Sequence, residues 1–178
     1  MVKYFAALLI VMALAAPAFA QDIPQIELGF GYGNLGIKGF PDRHSGFATH
    51  QTINLNSWLG IDNYLGYYGF GKDPSYGKTQ LLTTVFGGKF TYRAERVHPY
   101  AVAGIGGGFL SFPDVGGSSQ NSLAFRLGGG VDIPFKDNFA WKVDVSRMSF
   151  HFGSFISGVN GYNSGINLST GIVIKIAQ

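Results

Sequence analysis

The chain has no cysteine among its 178 residues, so no disulfide holds it together. Charge is sparse, with 13 Lys and Arg against 10 Asp and Glu, and no basic stripe marks a nucleic-acid surface. After Ala20 no long uninterrupted apolar run remains. A transmembrane helix needs about 20 such residues, so if lipid surrounds the rest of the chain it does not meet helices. Only a closed barrel then satisfies the backbone hydrogen bonds.

Glycine and aromatic residues are plentiful: 27 residues are Gly and 15% are Phe, Trp or Tyr. That mixture excludes disorder and an ordinary helical domain. The N-terminus carries Lys3, an apolar run from Phe5 to Ala16, Pro17, and then Ala18-Phe19-Ala20. A positive charge, a short apolar stretch and a small-x-small site form an export signal. Residues 1–20 are therefore expected to be a cleaved signal peptide, and residues 21–178 a single domain beginning at Gln21.

Alternation of apolar and polar residues gives eight predicted strands, at about 25–34, 47–62, 64–72, 79–93, 97–110, 122–135, 139–150 and 164–176. Asp62-Asn63, Arg93-Ala94-Glu95-Arg96 and Lys136-Asp137-Asn138 read as tight turns. Leu35–Gly46, Asp73–Lys78, Ser111–Asn121 and His151–Asn163 read as longer loops. Short turns at one end and long loops at the other are the asymmetry of a barrel in the outer membrane, with both termini on the periplasmic side.

One face of these strands is bulky and the other small or polar. Ile53, Leu55, Leu59 and Ile61 oppose Thr52, Asn54, Asn56 and Asp62. Leu123, Phe125, Leu127, Val131 and Ile133 oppose Ala124, Arg126, Gly128, Gly130 and Asp132. Phe139, Trp141, Val143 and Val145 oppose Ala140, Lys142, Asp144 and Ser146. In the last strand Ile166, Leu168, Ile172, Ile174 and Ile176 oppose Asn167, Ser169, Gly171 and Lys175. The polar face is too rich in Gly, Ala, Ser and Asn for a solvated exterior and suits the narrow lumen of eight strands. The expected fold is an all-β, eight-stranded, antiparallel up-and-down transmembrane β-barrel. In the fifth strand Ala101, Ala103 and Ile105 compete with Tyr100 and Val102 for the outward face.

Leu127-Gly128-Gly129-Gly130-Val131-Asp132, the following Ala140-Trp141-Lys142-Val143-Asp144, and the terminal Thr170-Gly171 with Ile174 and Ile176 together resemble the eight-stranded outer-membrane β-barrel family of OmpA-like and opacity-type proteins. The resemblance implies a Gram-negative outer membrane, a lipid surround, and recognition of the last strand by the barrel-assembly machinery. Thr170, Gly171, Ile174 and Ile176 would carry that signal. Ile176 stands where the family usually ends on an aromatic residue.

The inward face collects Glu27, Lys89, Arg126, Asp132, Lys142, Asp144 and Lys175. A simple hairpin register makes Asp132 and Lys142 cross-strand neighbours, with Arg126 and Asp144 a step further. Glu27 and Lys175 meet where the first and last strands close, and are expected to help set that register. Buried charges must be paired, so these residues are expected to plug the lumen. A narrow conducting path for small solutes is the alternative.

Other motifs carry bland readings. Gly31-Tyr32-Gly33-Asn34-Leu35-Gly36 fits a dinucleotide fingerprint, but no helical period follows to receive a pyrophosphate. Gly29, Gly31 and Gly33 instead mark an inward face, and the same holds for Gly104-Ile105-Gly106-Gly107-Gly108. Asp42-Arg43-His44-Ser45, with His50 nearby, offers the parts of a hydrolase or acyltransferase acting on lipid, yet such parts within a few residues rarely form a triad. His98 and His151 lack metal-ligand spacing. No cofactor or metal is expected. Tyr67, Tyr68, Phe70, Phe90, Tyr92, Trp141, Phe150 and Phe152 are expected in interfacial girdles, and Phe112, Phe155 and Tyr162 in the loops. The expected role is non-enzymatic: envelope structure, or contact with a surface ligand through four external loops.

Overall fold

The computed structural model describes residues 24–38, 43–73, 77–114, 118–152 and 161–176. Its strands are β1 (Ile26–Ile37), β2 (Arg43–Asn54), β3 (Leu59–Asp73), β4 (Gly77–Thr91), β5 (His98–Phe112), β6 (Ser118–Lys136), β7 (Phe139–Phe152) and β8 (Gly161–Ile176). Consecutive strands pair antiparallel and β8 returns to β1, closing the barrel. At the seam Ile26 lies opposite Ile176, Glu27 opposite Lys175, and Gly31 opposite Gly171.

Alternation sets the two faces, since successive side chains of a strand point to opposite sides. Phe30, Phe47, Ile53, Phe86, Leu127 and Trp141 are exposed on the outer wall, Leu127 at 68%. The inward positions are buried, and they are either apolar or polar according to height. Leu35, Ile37, Leu81, Leu110, Phe112, Met148 and Phe150 fill the half of the lumen toward the joins at 38–42, 74–76, 113–117 and 153–160. The half toward the termini is polar and charged.

Strand β5 settles its ambiguity with Tyr100 and Val102 inside and Ala101, Ala103 and Ile105 outside. Bulk decides it. The phenol of Tyr100 is needed within the lumen, while alanine is adequate against lipid.

The first tight turn differs from the sequence expectation. Asp62-Asn63 lies inside β3, where Asp62 is buried and pairs in register with Thr52, while the chain reverses at 55–58. Asn56 makes that reversal: its Oδ1 accepts the backbone N–H of Trp58 at 3.0 Å and of Leu59 at 2.8 Å. An asparagine that satisfies two amides of its own loop fixes a turn locally, and alternation continuing on both sides conceals it. Asn56→Ala is therefore expected to lower stability by about 1–2 kcal/mol, the worth of one or two such bonds. The check is a shift in urea unfolding midpoint at unchanged slope, with Asn56→Asp, which keeps an acceptor, losing less.

The strands also run further toward the far joins than expected, so Leu35–Gly46 shortens to a join at 38–42 and Asp73–Lys78 to 74–76. Outward polar residues such as Asn34 and Ser45 continue the ladder past the apolar band. The asymmetry in length thus survives only in part, most clearly between 153–160 and the two-residue turn at 137–138.

Candidate functional site: a charged network across the lumen

The polar half of the interior is one connected set of side chains. Glu27 on β1 sits at its lower end. Its Oε2 accepts from Lys89 Nζ at 2.9 Å, and its Oε1 accepts from Arg93 Nη2 at 3.1 Å and Asn54 Nδ2 at 3.0 Å. Lys89, on β4, also donates to Asp132 Oδ2 of β6 at 3.0 Å. On the other side of that carboxylate, Lys142 Nζ of β7 lies 2.8 Å from Oδ1. Both ammonium groups rest on the ring of Tyr100, at 4.8 Å and 4.0 Å from its centre.

Tyr100 carries the network upward. Its hydroxyl donates to Asp144 Oδ2 at 2.9 Å, and the same oxygen accepts from Arg126 Nη2 at 2.8 Å. Arg126 Nη1 reaches Asp62 Oδ2 at 3.1 Å, and the guanidinium stacks on Tyr64 at 4.5 Å from the ring centre. Thr52 donates to the second oxygen of Asp62 at 2.8 Å. Above them Tyr64, Tyr68 and Asn167 close a ring of hydrogen bonds, with Tyr68 donating to Asn167 Oδ1 at 2.7 Å. An added Cβ on Gly66 would lie 2.7 Å from the Tyr68 ring, so the absent side chain there leaves the ring its space.

Among the described residues, four acids (Glu27, Asp62, Asp132, Asp144) face four cations (Lys89, Arg93, Arg126, Lys142) in ion pairs. An ion is removed from water at a cost of several kcal/mol unless a partner and further hydrogen bonds compensate. Each of these groups has a charged partner, and Glu27, Asp62, Asp144, Arg93 and Arg126 also hold hydrogen bonds with uncharged groups. The arrangement locks strands on opposite sides of the lumen and leaves its charges committed to one another.

Of the inward charges expected from sequence, Glu27, Lys89, Arg126, Asp132, Lys142 and Asp144 stand together in this network, and Lys175 is half-buried beside it. The register sets Lys175 opposite Glu27 as expected, but the Glu27 carboxylate is taken by Lys89 and Arg93 instead. Both reach it through the lumen, where a cation is shielded from water. Asp62, Arg93, Tyr64, Tyr68 and Tyr100 were not among the predicted site residues. The Gly60-Asp62-Tyr64-Gly66-Tyr68 spacing, period two with small residues between rings, was their available signal.

Other expectations are corrected. Tyr68 and Phe150 are buried in the lumen and not in a girdle, and Phe112 is the last residue of β5, buried inside the barrel mouth and not in a loop. Phe90, Tyr92 and Trp141 are exposed on the wall. Arg43, His44 and Ser45 belong to β2, so His44 points inward while its two neighbours point outward. Residues on opposite faces of a strand cannot act together as acid, base and nucleophile. Asp42, Phe155, the signal segment 1–20, and the side chains of Phe70, Phe152 and Tyr162 lie outside the described residues.

In the terminal strand Gly171 faces the lumen side, and Ile174 and Ile176 face outward. Thr170 is exposed on the wall, where it accepts from the Trp141 indole at 2.7 Å and donates to the Lys142 carbonyl at 3.1 Å.

A closed barrel that is apolar outside and pairs its charges inside is a membrane-spanning β-barrel, since its driving burial is against lipid. Residues 6–172 match the family model for the outer membrane protein beta-barrel domain, and the chain belongs to that family. Its fold is similar to that of Neisserial surface protein A, at 18% identity and a TM-score of 0.69, covering 85% of this chain and 97% of that one. OprG of Pseudomonas aeruginosa matches at 14% identity and 0.52, covering 86% and 96%. Ail, the attachment invasion locus protein of Yersinia pestis, matches at 18% and 0.50, covering 84% and 96%. At these identities the likeness is one of fold. No curated protein sequence matches the chain.

Proposed function

We propose that this protein is a non-conducting, non-enzymatic barrel of the bacterial outer membrane, exported by a cleaved signal, whose rigid wall presents the joins at 38–42, 74–76, 113–117 and 153–160 outside the cell for contact with a surface ligand. The observation that carries this reading is the interior. Charges are paired across one half of the lumen and Leu35, Leu81, Leu110, Met148 and Phe150 occupy much of the other, which supports a plugged interior over a solute path. Separation of His44 from Arg43 and Ser45 onto different faces counts against a lipid-modifying enzyme.

In planar bilayers the folded chain is expected to leave conductance at baseline. Discrete openings whose size changes in Lys142→Ala would overturn the reading. Orientation has its own test, helped by the absence of native cysteine: Asp114→Cys, at an exposed position in the join after β5, should react with an impermeant maleimide on intact cells. Labelling only after lysis would place that join in the periplasm.

A further inference from the structure

Three cations gather on the outer wall around the tip of β8, away from the lumen. Arg147 on β7 is in register with Ile166 of β8, Ile166 with Gly36 of β1, and Gly36 with Arg43 of β2. Arg43, Arg147 and Lys38 are all exposed. Arg43 does not point away from the barrel. It lies across Gly36, where an added Cβ would be 2.9 Å from Nη1, and its Nη2 donates to the Asn34 carbonyl at 2.8 Å and the Ile166 carbonyl at 3.2 Å. Nε donates to Asn34 Oδ1.

From the other side Arg147 Nη2 donates to Ser164 Oγ at 3.2 Å, and the backbone N–H of Lys38 donates to the Ser164 carbonyl at 3.0 Å. The two guanidinium groups are thus anchored on residues two apart in one strand, a separation of roughly 7 Å. These contacts use Nε and Nη2 of Arg43 and Nη2 of Arg147. A guanidinium has five N–H donors, so further donors remain for an anion. Among the described residues neither arginine has a carboxylate ion pair.

The level of the cluster identifies the ligand's environment. On β8, Ile166 is exposed level with the two arginines, Leu168 and Ile172 are exposed below it, and Ser164 lies above; Asn34 and Ser45 flank Arg43 from below at the level of Leu168. This is where an apolar band gives way to headgroups, on the end that the proposed orientation places outside.

We propose that the outward face of the β8 tip holds a phosphate of an anionic glycolipid of the outer leaflet, clamped between Arg43 and Arg147 with Lys38 above, its acyl chains lying on Ile166 and Leu168. A free polyanion has the same charge but no chains for that apolar wall. The inference rests on the orientation proposed above, and binding in detergent tests the site independently of orientation.

The experiment is native mass spectrometry of the folded full chain in neutral detergent, titrated with lipid A. A stoichiometric adduct is expected, and Arg43→Gln/Arg147→Gln should weaken it at least tenfold, since the charge-assisted bonds to the phosphate are lost. Dephosphorylated lipid A, with the same chains, should bind the unaltered chain as weakly as lipid A binds the variant. Equal binding by the variant, or by the dephosphorylated lipid, would overturn the proposal. So would a sulfated oligosaccharide without acyl chains binding as tightly through the same two arginines. Should the double variant fail to fold, Arg147→Gln alone carries the test with a smaller expected loss, because its described contact is one serine hydroxyl.

Discussion

Arg126→Met is expected to destabilise the barrel by about 3–5 kcal/mol, the usual consequence of removing one partner from a buried charge pair. Two carboxylates lose their cation at once, because Arg126 bridges Asp62 and Asp144 with bonds of 3.1 Å and 2.8 Å. Methionine fills comparable space, so packing is largely kept and the loss reports on charge. The informative comparison is Asp62→Asn/Arg126→Met/Asp144→Asn, which removes the charges together. It should recover much of the single variant's loss, since neutral groups in the lumen avoid the desolvation that the pairs otherwise offset. Urea unfolding in lipid vesicles reads both. A single variant within about 1 kcal/mol of the unaltered chain would show that the network does not hold the barrel.

Gly171→Val is expected to prevent closure. A Cβ at Gly171 would lie 2.2 Å from the Phe30 carbonyl oxygen and 2.5 Å from the Gly31 Cα, both backbone atoms of the neighbouring strand. Side chains can turn aside, but here β1 and β8 must move apart and break the seam. The cost exceeds the roughly 1–3 kcal/mol of ordinary overpacking. The measurement is the heat-dependent shift in gel migration of detergent-folded protein: the compact band should disappear in Gly171→Val and persist in Ile176→Val, which changes the same strand on its lipid face. A compact band in the first variant would mean that the seam is looser than its geometry.

Much of this fold was legible in sequence because lipid and lumen impose opposite demands on alternate residues. Trp141, Val143 and Val145 against Lys142, Asp144 and Ser146 tells a reader both that the segment is a strand and which side faces out. The Asp132–Lys142 pair was equally accessible, as the two flank a tight turn at matched distances. The reversal at 55–58 was not, since alternation runs through it and only Asn56 marks it. Tyr68 and Phe150 were misplaced for a related reason: an aromatic ring suits a membrane girdle and a lumen equally well, and composition does not separate the two.

The partners of Glu27 show where sequence reasoning stops. From the seam alone its neighbour is Lys175, and the backbone register agrees. The carboxylate turns instead to Lys89 and Arg93, which arrive from β4 and the turn after it. The number of strands, the faces of most of them and six of the eight paired lumen charges are properties of each segment in its solvent, and the sequence determined them by itself. Which acid meets which cation depends on strand stagger and on how far a side chain reaches across the closed lumen. Those are relations between segments distant in the chain, and only the tertiary structure decided them.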